Sequence, residues 1–298
     1  MTSTALKILA LILMLIDHIG EFIPGIPIWL RWIGRLSAPV FVFCMVWGYT
    51  YTRNKKNYMI RMYLFSVGMA VINYLLNSYA SRYDYVEITN NIFSALFATT
   101  EVISILEYRR ENEKRGLYYV IVFFLVQLLL AFSICLRWSG TPIYELLGAI
   151  TGNIFINEGK FLFVVLGVFF YYTKENRLHL TIGYISYCLL LFINTAYSIL
   201  PRIGAKVNLI ELSEGTTLND LILGISEDLI GVPALHILIK DWEYVFFGYF
   251  QWMMVGALPL ILLYNGKRGA NLKWFFYIFY PLHIYLLWWI GGMLNITN

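Results

Sequence analysis

The sequence predicts an all-α, polytopic integral membrane protein with about nine to eleven transmembrane helices that enclose an intramembrane cavity. The chain of 298 residues is 59% hydrophobic and only 13% charged, about half of the charge that is usual in soluble domains. Its mean hydropathy is +0.66. Its 23 Tyr, 21 Phe and 9 Trp suit the aromatic belts at the two membrane interfaces. We expect one domain over residues 1–298, in contact with the lipid bilayer and with no nucleic acid.

Nine apolar segments predict membrane spans, each of which takes about 20 apolar residues. They are residues 5–23, 33–52, 58–77, 90–107, 117–136, 159–173, 179–200, 243–264 and 274–294. The first has no small-residue cleavage site before Asp17, which predicts a retained helix. Two further stretches stay open. Residues 137–158 contain a proline and several glycines, which favours a short re-entrant element, whereas residues 218–240 are apolar but hold two acids and a proline.

The placement of charge predicts the orientation of the chain. Residues 53–61 and 265–273 carry cations but no acid, and residues 107–116 and 173–178 are also rich in Lys and Arg. If residues 218–240 do not cross, all four segments lie on one side of the membrane. Because basic loops face the cytoplasm, we expect a cytoplasmic N-terminus in the cell membrane. If residues 218–240 do cross, one basic segment moves outside and breaks this rule.

Two ionisable residues, Asp17 and His18, lie inside the first apolar run. A charged side chain at that depth costs about 3 kcal/mol unless it meets a partner or a cavity. Since adjacent helical residues point in different directions, we expect one to face a cavity and the other to take a partner from a neighbouring helix. Arg35, in the second span, is the candidate partner for Asp17. The alternative is a polar cluster that only holds helices together.

The last apolar segment carries His283 shortly after Pro281, which removes a backbone hydrogen bond and favours a kink there. The helical rise puts His283 about 14 Å and His18 about 20 Å along their helices, so the two can border one cavity. A lone histidine on an apolar helix is nevertheless more often a core residue. His179 and His236 lie at or near segment ends, which favours an interfacial position.

Two glycines flank a pair of cations at the inner end of the eighth span, in the run Asn265-Gly266-Lys267-Arg268-Gly269. Glycine allows close approach of the backbone, and Lys and Arg suit phosphate oxygens. Arg53 and Arg61 can join the same patch. An ordinary cytoplasmic anchor explains the cations but not the glycines. The pattern therefore predicts an anionic, nucleotide-like cytosolic ligand.

The three cysteines, Cys44, Cys135 and Cys188, lie far apart in apolar runs without the spacing of a zinc site. We expect them to be core residues, and we expect no metal. The sequence also contains no P-loop and no HExxH motif.

Three stretches carry a family resemblance. They are LKILALILMLIDHIG, IGRLSAPVFVFCMVWGYTYTRNKKNYMIRMYLF and LPLILLYNGKRGANLKWFFYIFYPLHIYLL. In order and spacing they resemble the two ends of TraX-type membrane proteins, and Asn90-Asn91-Ile92-Phe93 resembles a further element of that family. The middle departs from the pattern, since Glu158-Gly159-Lys160 stands where the family usually has Asp-Tyr-Gly.

The resemblance implies an acyltransferase of the broader transmembrane type, with cytosolic acetyl-CoA as donor. Founding members are associated with N-terminal acetylation of conjugative pilin, and related enzymes acetylate sugars or surface glycans. The resemblance puts Asp17, His18 and Arg35 in the catalytic region and Lys267-Arg268 in a cytoplasmic basic motif. The acceptor, whether a pilin-like peptide or a glycan, does not transfer with the fold.

The residues and the resemblance together predict a mechanism. His18 is the expected general base, Asp17 or Arg35 sets the local field, and His283 polarises the carbonyl or acts as a second acid or base. The expected acetyl-CoA site comprises Lys267, Arg268, Asn265, Gly266, Arg53 and Arg61. Two alternatives stay open: a transporter or flippase of an anionic or lipid-linked substrate, in which such residues build a proton relay, and a non-catalytic subunit for envelope assembly.

Overall fold

A computed structural model of the chain describes residues 1–80, 85–197, 211–213, 216–217, 226–231 and 244–296. Within these ranges the protein is built of helices, with one short antiparallel hairpin of two strands. The elements are α1 (Ser3–Phe22), α2 (Trp29–Gly34), α3 (Ser37–Tyr51), α4 (Lys55–Ala80), α5 (Ile92–Glu111), α6 (Glu113–Trp138), α7 (Pro142–Thr151), α8 (Lys160–Thr173), α9 (Arg177–Tyr197), β1 (Glu211–Ser213), β2 (Thr216–Thr217), α10 (Leu258–Leu262) and α11 (Lys273–Ile296).

The helices of the described residues are those of a membrane protein. Five of them are long and apolar enough to cross a bilayer, namely Trp29–Tyr51, Lys55–Ala80, Glu113–Trp138, Arg177–Ala196 and Lys273–Leu294. Shorter apolar helices cover Lys160–Thr173 and Gln251–Leu262. The all-helical class is therefore confirmed apart from the hairpin, whereas the count of nine to eleven spans stays a prediction.

The second span differs from its expected form, because it begins earlier and is interrupted. α2 already begins at Trp29, and the α-helix is broken after Gly34 before α3 begins at Ser37. Pro39, in the first turn of α3, has no N–H and its ring clashes with a carbonyl four residues earlier, that of Arg35. The early start places Arg31 on a helix, where the sequence predicted a loop.

Residues 137–158 contain the short helix α7 and a return segment, which is the form expected of a re-entrant element. α7 ends at Gly152, whose φ of +60° is left-handed. The chain then packs back so closely that a Cβ on Gly148 would lie 2.3 Å from Ile156. Lys160 reaches Glu145 near the start of α7, with 3.5 Å between Nζ and Oε1. The start of α7 and the end of its return segment therefore lie close together.

The structure also describes parts of two other segments, the predicted span 243–264 and the stretch 218–240 whose crossing stays open. Residues 243–264 form no continuous helix where they are described, but a π-helical turn (Tyr244–Gly248), a 3₁₀ segment (Gln251–Ala257) and α10. Of residues 218–240, only 226–231 are described, with a π-helical turn at Ser226–Ile230. His236 lies outside the described residues.

In the core, α1 packs against both α3 and the last helix, α11. Val40 and Val46 of α3 and Leu6 and Ala10 of α1 have no exposed surface, and α11 contributes Ile284. α1 contacts α2, α3 and α11, and α5 contacts α4 and α8. This packing places polar residues from α1, α2, α5 and α11 next to one another inside the bundle.

Candidate functional site

The two histidines singled out in the first and last apolar segments meet in the core. His18 of α1 and His283 of α11 are 3% and 5% exposed, and 2.8 Å separates Nδ1 of His18 from Nε2 of His283. Their rings are stacked. Tyr280, one turn before His283, lies edge-on to the His18 ring. Two histidines that are 265 positions apart in the sequence therefore belong to one site.

The hydrogen bonds of the pair assign their tautomers. Nδ1 of His283 lies 2.8 Å from the carbonyl oxygen of Phe279, which can only accept, so this nitrogen carries the hydrogen. In a neutral ring, Nε2 of His283 is then an acceptor, and Nδ1 of His18 donates to it. Nε2 of His18 consequently keeps its lone pair. This assignment follows from the hydrogen-bond network, and it makes His18 Nε2 the basic atom of the site.

Asp17 points away from the histidine pair, toward α2. It forms an ion pair with Arg35, as the sequence predicted, and a second one with Arg31, whose Nε lies 3.2 Å from Oδ1 of Asp17. Nη1 of Arg31 also lies 2.7 Å from Oε2 of Glu21. The two arginines are four residues apart and therefore share one face of the chain. Two cations thus neutralise two acids beside His18.

The start of α5 closes the site from a third side. Nδ2 of Asn90 lies 3.4 Å from His18 Nε2 and 3.2 Å from an oxygen of Glu21. The backbone N–H of Asn91 donates to Oε2 of Glu158 over 2.5 Å. The Tyr280 hydroxyl donates to the same oxygen over 2.9 Å and accepts from the N–H of Ile92 over 2.9 Å. Side chains from α1, α5 and α11 and the loop before α8 are thereby linked.

A polar cavity of about 290 Å³ opens from His18. Its walls include Asn90 and Gln251, together with three acids and three cations among the described residues. These six are Asp17, Glu21, Glu158, Arg31, Arg35 and Lys160. A cavity with this lining suits a polar substrate, which it can hold beside Nε2 of His18.

A second, larger cavity of about 670 Å³ adjoins the polar cavity at Ile92, and its lining includes Tyr280, which lies edge-on to His18. We call it the basic cavity, because its described lining includes five cations and no acid. The cations are Lys7, Arg53, Arg61, Arg268 and Lys273. The inner wall is apolar and aromatic, with Phe93 and Tyr280, and Ile92 lines both cavities. Ile92 and Tyr280 therefore stand between the basic cavity and His18.

The basic cavity also holds hydrogen-bond donors without acceptors. Nε1 of Trp47 and Nε of Arg61 are buried, and neither donates to any described residue. Both side chains line this cavity. Unpaired buried donors carry a free-energy cost, so this cavity is suited to a ligand that brings acceptor oxygens or nitrogens.

The loop at the mouth of the basic cavity is held by the first residues of the chain. The backbone N–H groups of Ser3 and Thr4 donate to the carbonyls of Lys267 and Arg268 over 2.8 and 3.0 Å. Gly269 has a φ of +82°, and a Cβ there would lie 2.6 Å from Thr2 Oγ1. The glycine is therefore required both by its backbone conformation and by the close contact.

Only some of the residues predicted to bind the anionic ligand line the basic cavity. The structure places Gly266, Arg268, Arg53 and Arg61 on the basic cavity. Lys267 and Asn265 are exposed and are not among its described lining residues. Asn265 instead accepts the backbone N–H of Lys267 over 3.1 Å and so shapes the loop.

The remaining histidine that the structure describes, His179, lies apart from both cavities. It is exposed in the first turn of α9, and its N–H donates to the Asn176 side chain. Cys44 and Cys188 are buried, Cys135 is partly buried, and all three are free.

Comparison with known proteins identifies the family of the chain. A family model described as TraX protein matches residues 2–149 and 229–291, which is well over half of the chain. The chain belongs to the TraX family. The match includes the residues that the sequence singled out around His18 and His283, and the loop with Arg268. No curated protein and no solved structure matches the chain.

The TraX match leaves out residues 150–228. This part contains α8, α9 and the Glu158-Gly159-Lys160 turn, where the sequence already departs from the family pattern. Sequence reasoning singled out neither Glu158 nor Arg31 as a site residue. The four-residue spacing of Arg31 and Arg35 was a signal that could have found Arg31, and the acid in place of the family's usual Asp was one that could have found Glu158.

Proposed function

We propose that this TraX family member is a membrane-embedded acetyltransferase that moves an acetyl group from cytosolic acetyl-CoA to an amine or hydroxyl acceptor. The acceptor class includes a pilin-like peptide N-terminus, a sugar and a surface glycan. The observation that carries the proposal is a pair of adjoining cavities, one polar with His18 in its wall and one basic, which share Ile92. Each substrate then has its own approach to the same base.

The basic cavity is the proposed donor site. Five cations without an acid attract a polyanion such as the phosphates of acetyl-CoA. Arg268, Arg53 and Arg61 line the mouth. Along α1, His18 lies about 16 Å from Lys7 at a rise of 1.5 Å per residue. An extended thioester-bearing arm would cover this distance through the aromatic inner part of the cavity.

The reaction centres on His18. The acceptor lies in the polar cavity, and His18 Nε2 removes a proton from its nucleophilic atom as that atom attacks the thioester carbonyl carbon. The carbon–sulfur bond breaks, and the CoA sulfur leaves with the electron pair and takes the proton from His18. His283 fixes the tautomer of His18, and the Asp17–Arg35 pair sets the field beside it. A covalent acetyl-histidine intermediate is the alternative route for the same groups.

The orientation of the protein is part of the proposal. The basic cavity faces the cytoplasm, where acetyl-CoA is made, and the polar cavity faces the outer side. This agrees with the cationic loops at the mouth of the basic cavity. The N-terminus is then cytoplasmic and the protein lies in the cell membrane.

Binding of acetyl-CoA to the purified protein in detergent, measured by calorimetry, tests the donor site. The His18→Ala variant should bind acetyl-CoA as the wild type does but lose about 10²- to 10⁴-fold in the rate of acetyl transfer, the usual cost of removing a general base. Transfer is measured with radiolabelled acetyl-CoA and washed membranes from cells that lack this gene. No binding of acetyl-CoA or CoA by folded wild type rejects the proposal, and proton-coupled uptake without acetyl consumption would favour a transporter.

A further inference from the structure

Ile92 is the one residue that the described linings of the polar cavity and the basic cavity share. It is the first residue of α5 and is 8% exposed. On the same helix, Leu96 lines only the basic cavity and Ala95 only the polar cavity. The two cavities therefore meet at the Ile92 side chain. We call this place the Ile92 junction, and a donor that reaches from the basic cavity to His18 extends through it.

The first helix shows how thin the boundary between the cavities is. Lys7 and Leu11 line the basic cavity, whereas Met14 and His18 line the polar cavity. Steps of three or four residues connect these positions, so all of them lie on one face of α1. At a rise of 1.5 Å per residue, Leu11 and Met14 are about 4.5 Å apart along the helix axis. The change from one cavity to the other therefore takes less than one helical turn.

Hydrogen bonds hold the backbone of Ile92 in place at this boundary. Its N–H donates to the Tyr280 hydroxyl over 2.9 Å, and that hydroxyl donates to Oε2 of Glu158 over 2.9 Å. The N–H of Asn91 donates to the same carboxylate oxygen. The ring of Phe93 lies edge-on to the ring of Tyr280. Because the residues on both sides of Ile92 are fixed, the size of its side chain sets the width of the Ile92 junction.

We infer that Ile92 is the residue that limits the acyl group of the donor to acetyl. The thioester carbonyl has to reach the acceptor beside His18, so the carbon atoms that follow the carbonyl lie at the Ile92 junction or beyond it. Beyond it, the described lining carries three acids and three cations. A longer hydrocarbon chain finds little apolar surface there and occupies the space of a polar acceptor. The inference rests on the proposed function and adds the specificity for its donor.

The wild type should therefore discriminate against longer acyl groups. One methylene too many in a closely fitting pocket changes kcat/KM by about 10- to 200-fold. We expect propionyl transfer to be slower than acetyl transfer by a factor in this range, and butyryl transfer to be slower again. Rates are measured with radiolabelled acetyl-, propionyl- and butyryl-CoA and washed membranes. Calorimetric affinities should differ far less, because a longer donor can still bind by its phosphates while its acyl group stays short of the Ile92 junction.

Two variants of Ile92 widen the junction by different amounts. Ile92→Ala removes three carbon atoms, which is enough room for the two carbons that butyryl has beyond acetyl. The ratio of kcat/KM for acetyl-CoA to that for butyryl-CoA should fall at least tenfold in this variant. Ile92→Val removes one carbon atom and should raise the relative transfer of propionyl more than that of butyryl. The valine variant is the smaller change and serves as the test if the alanine variant does not fold.

Ile103→Ala is the matched control. Ile103 lies on the same helix, has no exposed surface and does not belong to the described lining of either cavity. This variant loses the same atoms without widening the Ile92 junction, so its preference among the three donors should equal that of the wild type.

Three outcomes overturn the inference while acetyl-CoA binding still stands. They are butyryl transfer by the wild type within twofold of acetyl transfer, an unchanged donor preference in the folded Ile92 variants, and the same change of preference in Ile103→Ala. A wild type that binds neither acetyl-CoA nor CoA rejects the proposed function and this inference with it.

Discussion

Replacing His283 tests whether this residue fixes the tautomer of His18. In the structure, the Phe279 carbonyl makes Nε2 of His283 an acceptor, and that atom receives the hydrogen of His18 Nδ1 over 2.8 Å. In His283→Phe this buried hydrogen has no acceptor, which costs about 1–3 kcal/mol. The ring can avoid the cost by moving its hydrogen to Nε2, where it can no longer act as the base.

The magnitude of the effect follows from this cost. Each 1.4 kcal/mol corresponds to tenfold in rate, so we expect His283→Phe to lower the rate of acetyl transfer by about 5- to 150-fold. Affinity for acetyl-CoA should stay the same, because His283 is not among the described residues that line the basic cavity. Rates are measured with radiolabelled acetyl-CoA and washed membranes, and affinity by calorimetry. His283→Gln, whose side-chain oxygen can accept from His18, should recover part of the rate.

A double-mutant cycle decides between tautomer control and an independent role of His283. If His283 acts through His18, then His18→Ala combined with His283→Phe is no slower than His18→Ala alone. Rate losses that multiply in the double variant would refute the reasoning. Full activity of His283→Phe would refute it as well.

Two further predictions concern the basic cavity and the packing of α2. Arg268 lines the basic cavity, whereas Lys267 does not belong to its described lining. Arg268→Ala should therefore raise the KM for acetyl-CoA about tenfold, and Lys267→Ala should change it clearly less. Equal effects on the KM would contradict the placement of the two side chains. A Cβ on Gly34 would lie 2.2 Å from Asp17 Cβ, whereas one on Gly68 meets nothing within 4 Å. Gly34→Ala should therefore destabilise the protein by about 1–3 kcal/mol and Gly68→Ala by less, which thermal unfolding in detergent can compare.

The ion pair between Asp17 and Arg35 could be predicted, because a short connection makes the first two spans antiparallel neighbours. The level of His18 and His283 in the bundle also followed from residue counting. Their contact did not, since a single sequence does not show which helices are neighbours in space. α11 lies against α1 because of packing over the whole core.

Other features depend on backbone geometry that the sequence pattern does not show. Whether Lys267 or Arg268 turns into the cavity is decided by a loop with glycines of positive φ on both sides of the pair and by its hydrogen bonds to Ser3 and Thr4. Glu158 becomes part of the site only because α7 and its return segment carry it to Asn91. The presence of Glu158 in the site therefore depends on the tertiary fold.

The joining of the first and last helices has a consequence for biosynthesis. The basic atom lies on α1, the residue that sets its tautomer lies on α11, and the loop with Arg268 is anchored to residues 3 and 4. While the ribosome is still making the chain, α1 is already synthesised but has none of these partners, and contacts between distant residues form late. The histidine pair and the anchored Arg268 loop are therefore completed only when the final helix has been made, so a truncated product carries an isolated histidine and, on the proposed mechanism, should not consume acetyl-CoA.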